Sequence, residues 1–173
     1  MQEATENYIK FPDEPPNTMK ALFKSLYGYT SDEVVNELSE KGNQSMRPST
    51  LLSTYDVATK YSATCLESIM CEKLEVWLGA IMLTDSAIDN PVKTTDSAGW
   101  LWYITKTLDD TQYESSSLRA VLVKGIQQQM AKTPEDEKFK RFIHEGLLPY
   151  TNITTDLLKS GGLDGTGAKL SSK

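Results

Sequence analysis

The sequence predicts an α+β fold: one helix-rich domain with a flexible N-terminal arm and a flexible C-terminal tail. Two observations predict it. Apolar residues recur at helical spacing in several separate segments, most cleanly from Met19 to Tyr27. Elsewhere they alternate with polar residues, as from Leu74 to Leu78, or crowd into an aromatic run, as from Trp100 to Ile104. Those two patterns are the marks of strands.

Residues 1–16 are polar and acidic and finish in Pro12, Pro15 and Pro16, so they read as an extended arm. Asn17 is a plausible cap. Beyond it, Met19, Leu22, Phe23, Leu26 and Tyr27 fall on one helical face, with Lys20 and Lys24 on the other and Gly28 as the stop. Thr30 and Glu33 form a capping-box pattern that opens a second helix, with Val34, Val35 and Leu38 inward and Gly42 ending it. Residues 43–53 hold Pro48 and several serines and read as a loop. A third helix opens at Thr54, with Val57, Ala58, Tyr61, Cys65, Leu66 and Ile69 sharing a face.

From Leu74 the pattern fits a strand, although Ala80-Ile81-Met82-Leu83 would equally continue a buried helix. Trp100, Trp102, Tyr103 and Ile104 with Thr105 and Thr107 favour a strand. Leu118, Val121, Leu122 and Ile126 fit a helix towards Met130, though Val121-Leu122-Val123 could begin a strand. Thr133, Pro134 and the acids 135–137 are a helix start, with Phe139, Phe142, Ile143 and Leu147 as its apolar face. Ile153, Leu157 and Leu158 close the pattern. The globular domain therefore spans 17–158, and the Gly/Ser-rich residues 159–173 form a tail.

Composition excludes more chemistry than it assigns. Two cysteines and one histidine leave no zinc or iron–sulfur ligand set, and no metal or cofactor is expected. Cys65 and Cys71 read as reduced, buried, small apolar side chains. A net charge of −6 argues against general or direct sequence-specific nucleic-acid binding. No apolar run is long enough for a membrane span, and no secretory leader is evident, so the expectation is an intracellular, soluble protein. The triplets at Asn43 and Asn152 then read as chance glycosylation matches.

No catalytic set emerges. His144 has no nucleophile placed beside it. Asp109-Asp110 and the acids 135–137 read as solvated turn and helix-start charges. The glycines 161–167 lack the following helix that a phosphate loop needs. The chain is expected not to be an enzyme.

Two segments remain as contact surfaces. Met19, Lys20, Leu22, Phe23, Lys24, Leu26 and Tyr27 fit a helix that docks on a partner or touches a membrane, against the plainer reading that its stripe faces the domain's own core. Trp100, Trp102 and Tyr103 fit core packing, with any exposed remainder serving a protein partner.

Two blocks resemble the matrix proteins of rhabdoviruses: Thr54-Tyr55-Asp56-Val57-Ala58 through Lys73-Leu74-Glu75-Val76-Trp77, and Glu137-Lys138-Phe139-Lys140-Arg141-Phe142 through Glu145-Gly146-Leu147. The resemblance implies an α+β domain with a mobile N-terminal arm. It also implies a non-enzymatic, self-assembling protein that bridges a viral nucleoprotein assembly to the inner face of an envelope through protein contacts and peripheral membrane contact, in the virion and host cytoplasm. The chain departs from that family in its acidic charge, and at Pro15-Pro16-Asn17-Thr18 it lacks the tyrosine of a Pro-Pro-x-Tyr motif. The alternative is a monomeric adaptor or regulatory module that binds one protein partner.

Overall fold

The computed structural model describes residues 13–39, 46–80, 97–132, 143 and 149–160. Helix accounts for 81% of them, and no strand occurs among them. The architecture of the described residues is all-α, which corrects the α+β expectation. By its contacts the chain divides into two compact units, Met1–Leu66 and Glu67–Lys173.

In the first unit, Pro16 opens α1 (Pro16–Leu26), where its fixed φ suits a helix start and its missing N–H costs nothing. Thr18, Met19, Ala21, Leu22 and Ser25 form the buried face. Gly28, at φ 77°, ends the helix in a Schellman turn: the Tyr29 N–H donates to Lys24 and the Gly28 N–H to Ser25. Thr30 then caps α2 (Ser31–Leu38) through the anticipated capping box with Glu33, and Val34, Val35 and Leu38 are buried. Lys24 and Glu37 join α1 to α2 at 2.6 Å.

The expected loop at 43–53 is corrected over its described part. Pro48 takes the first position of α3 (Pro48–Lys60) instead of breaking a helix, and Leu51, Leu52, Thr54, Tyr55, Val57 and Ala58 are buried. The expected continuous face from Val57 to Ile69 is also interrupted. Ser62 adopts the left-handed region at φ 54°, the Ala63 N–H donates to Ala58, and a new helix begins. Glu14, from the described end of the arm, pairs with Lys60 at 2.5 Å.

That new helix, α4 (Thr64–Ala80), runs into the second unit. Leu66, Met70, Leu74 and Leu78 recur every fourth residue and are all essentially inaccessible. A helix brings residues four apart onto one side, whereas a strand would bury Leu74, Val76 and Leu78 together. Val76 is 64% exposed, so the strand reading of this segment is wrong. The aromatic run is likewise helical, in α5 (Ser97–Leu108). Leu101, Ile104, Thr105 and Leu108 are buried at i, i+3, i+4 and i+7, and that periodicity outweighs β propensity.

Asp110 caps a single 3₁₀ turn (Thr111–Tyr113) by accepting from the Gln112 N–H at 3.1 Å. Next, α6 (Ser117–Lys132) buries Leu118, Arg119, Leu122, Val123, Gly125 and Ile126. It runs alongside α4 in the same direction: Cys71 meets Ser117, Glu75 meets Lys124, and Gln129 donates to the Leu78 carbonyl near the end of α4. A Cβ on Gly125 would lie 2.5 Å from a Leu78 methyl, so only glycine permits this approach without a shift. Last, α7 (Thr151–Lys159) buries Ile153 and Leu157, while Leu158 stays exposed.

Ile143 is buried, and the rest of the helix expected after Thr133 lies outside the described residues. So do residues 1–12, Gly42, the strand-or-helix stretch at 81–83, and the tail from 161.

Candidate functional site

The geometry of α1 divides the predicted contact segment into two sides. Met19 and Leu22 face the first unit's core at 6% and 3% exposure. Phe23, Leu26 and Tyr27 face outward at 42%, 59% and 80%, and Tyr29 follows at 50%. Helical spacing explains Phe23 and Tyr27, which stand with Lys20 at i, i+3 and i+7, opposite Ala21, Leu22 and Ser25. Leu26 follows the buried Met19 and Leu22 by seven and four residues and is exposed because it ends the helix. The plain reading of this helix therefore holds for one side only, and the other side is an exposed aromatic and apolar face.

The two lysines of this segment differ. Lys24 is half-buried, bonds Glu37, and lies 5.6 Å from the centre of the Tyr29 ring. The Glu37 hydrogen bond holds the Lys24 ammonium above its ordinary pKa and holds the Glu37 carboxyl below the usual carboxylate range. Lys24's charge is thereby spent inside the hairpin. Lys20 is exposed.

The second predicted surface is less open. Trp100 is partly covered and lies 6.2 Å from Trp77 of α4, centre to centre. Trp102 is half-buried beneath Lys106, whose ammonium is 5.0 Å from the ring centre. Tyr103 alone of the three is exposed, at 41%. This aromatic pair brings the C-terminal part of α4 next to the start of α5.

A polar cluster that sequence reading missed fixes α7 in the second unit. The Asp109 carboxylate accepts from the Ile153 N–H at 2.9 Å, and the Asn152 amide donates to the Asp109 carbonyl at 2.6 Å. Arg119, only 3% exposed, directs Nε and Nη2 at the same Asp156 oxygen, 2.8 and 2.6 Å away. Its Nη1 is buried with no hydrogen-bond partner among the described residues. These partners lie 37 to 44 positions apart, so no local pattern announces them. Asp109 and Asp110 thus act as caps, and the Asn152 amide nitrogen that glycosylation would need is engaged.

No family model, curated protein or solved structure matches this chain.

Among the described residues, no three His, Cys, Asp or Glu side chains gather as metal ligands would, and no helix is long and apolar enough to cross a membrane. The cysteines depart from their expected burial. Cys65 is exposed, and Cys71 is half-buried and bonded to Ser117. His144, the acids 135–137, the triplet at Asn43 and the glycines 161–167 lie outside the described residues.

Proposed function

We propose that this chain is a non-enzymatic assembly protein that acts through exposed aromatic and apolar side chains. One observation carries the reading: α1 buries Met19, Ala21 and Leu22 and still presents Phe23 and Tyr27 to water on the opposite side, with Leu26 exposed in its last turn and Tyr29 following. Tyrosine and phenylalanine are the residues that protein interfaces enrich, and adjacent exposed apolar side chains mark contact surfaces. Asp109 and Asp110, which the sequence presents as solvated turn charges, serve as caps.

A protein partner fits this face better than an anionic membrane. Each lysine near an anionic surface contributes about 1 kcal/mol, and here Lys24 is bonded to Glu37 while the charge of Lys20 also acts on Glu37, so the acidic α2 offsets both. The finer form of the proposal is a matrix-like protein on the inner face of a virion, linking a viral nucleoprotein to the envelope. It rests on the resemblance of the two sequence blocks, and the helical state of Lys73–Trp77 removes the strand from the first of them.

Sedimentation equilibrium of the full chain over a wide concentration range tests the assembly reading. Species heavier than the monomer, growing with concentration, are expected. A monomer throughout would overturn the reading and favour a single-partner adaptor.

A further inference from the structure

Resting on that assembly reading, we propose that the outward face of α1 pairs with the same face of a second copy of this chain, antiparallel and about a two-fold axis. Lys20, Phe23 and the C-cap residue Tyr27, spaced i, i+3 and i+7, fall on one side of α1. The line is cationic at its start and aromatic at its end, with Phe23 between. Lys20 and Tyr27 are separated by about 10 Å of helix rise, almost evenly about Phe23.

A two-fold axis beside Phe23 carries Lys20 of one copy onto Tyr27 of the other, and does so twice. Each ammonium then meets a tyrosine ring at the C-terminal end of α1, where the helix dipole also favours a cation. The chain makes this ammonium–aromatic contact within itself at three places among the described residues: Lys24 on Tyr29, Lys60 on Tyr61 and Lys106 on Trp102. Phe23 packs against its symmetry mate, and Leu26 flanks it. A parallel pairing would set Lys20 against Lys20 and leave both rings without a cation. The face is therefore complementary to itself in one orientation, which is the condition for an isologous dimer. Lys24 cannot replace Lys20, because Glu37 bonds it at 2.6 Å, whereas Lys20 acts on Glu37 through its charge alone and is exposed.

Sedimentation equilibrium on the full chain, with helix content followed by circular dichroism, tests this with Lys20→Glu, Tyr27→Lys and an equimolar mixture of the two variants. Both substitutions are on the solvent side of α1, so helix content should be unchanged. Each variant alone should weaken self-association by about tenfold or more, because an isologous interface repeats every substitution. The mixture should recover it: the introduced carboxylate of one chain meets the introduced ammonium of the other, and a native Lys20–Tyr27 contact survives across the axis. If wild type associates and either variant associates equally well, or the mixture does no better than its parts, the α1 pairing is overturned while assembly through another face stands. A wild type that stays monomeric removes the assembly reading itself. A monomer that floats with anionic vesicles, and loses this with Lys20→Glu, would assign the face to lipid instead.

Discussion

The Asp109 carboxylate, just beyond the end of α5, caps α7 by accepting the Ile153 N–H at 2.9 Å. Three residues along the same helix, Asp156 meets the buried Arg119 of α6. The last described helix is thus fixed by two carboxylates on two different elements, and its apolar anchorage is Ile153 and Leu157.

Removing either carboxylate should loosen α7, by different amounts. Asp109→Ala removes a cap and should cost about 1 kcal/mol. Asp156→Ala strands a buried guanidinium and should cost about 2–3 kcal/mol, tempered by the partial exposure of Asp156. The double variant Arg119→Met/Asp156→Ala should be more stable than Asp156→Ala alone, since it also removes the orphaned charge. Urea denaturation with a far-ultraviolet readout measures all three. A double variant less stable than Asp156→Ala would contradict this account.

The turns after α1 and α3 have the same hydrogen-bond pattern, yet one has glycine and the other serine at the left-handed position. Gly28→Ala should destabilise by about 1 kcal/mol, because a Cβ is strained at that φ even though open space surrounds it. Ser62→Gly should stabilise by about 0.5–1 kcal/mol by removing the same strain. Effects of equal sign in thermal unfolding would refute the argument.

The two thiols should be separable by rate. Cys65 is exposed, whereas burial pushes the Cys71 thiol up in pKa and partly covers it. Brief alkylation at neutral pH, read by peptide mass spectrometry, should label Cys65 about tenfold or more faster than Cys71. Equal rates would mean that α4 does not rest on Ser117 as described.

The α1–α2 hairpin should be most stable at intermediate pH. Glu33 is held below the usual carboxylate range by hydrogen bonds from the Thr30 side chain and backbone, and Glu37 by Lys24. A depressed carboxyl stabilises the fold above its unfolded pKa, and that contribution disappears as pH falls through the folded value. Lys24 is raised, so its contribution is complete below its ordinary value and disappears as pH rises through the folded one. Amide exchange in α2 should therefore show increased opening, beyond the intrinsic pH dependence, on acidification through the carboxylate range. Glu37→Gln should reduce that acid sensitivity, and high salt should reduce it further. An acid response identical in Glu37→Gln would contradict the assignment.

What the sequence made legible was local. Gly28, Thr30 and Glu33 mark the α1–α2 turn with side chains a few positions apart, and the capping box stands where they place it. The strand readings failed where composition was weighed above period. Leu101, Ile104, Thr105 and Leu108 are helically spaced, but the tryptophans beside them carry β propensity that tertiary burial overrides. Pro48 and the serines around it suggest a loop by composition, although a proline equally opens a helix. Of the contact segment at 19–27 the residues were legible, but the assignment of Met19 and Leu22 inward and Phe23, Leu26 and Tyr27 outward depends on which elements pack against α1. The Asp109 and Arg119–Asp156 contacts bridge distant segments and left no pattern to read.

Hydroxyl-radical footprinting of the full chain at low and high concentration tests the central claim most directly, because it reads side-chain exposure residue by residue. The account predicts that Phe23, Leu26 and Tyr27 become protected as concentration rises, while Tyr103 on the second unit keeps its reactivity. Unchanged reactivity of Tyr27 in a sample shown to contain oligomers would contradict it.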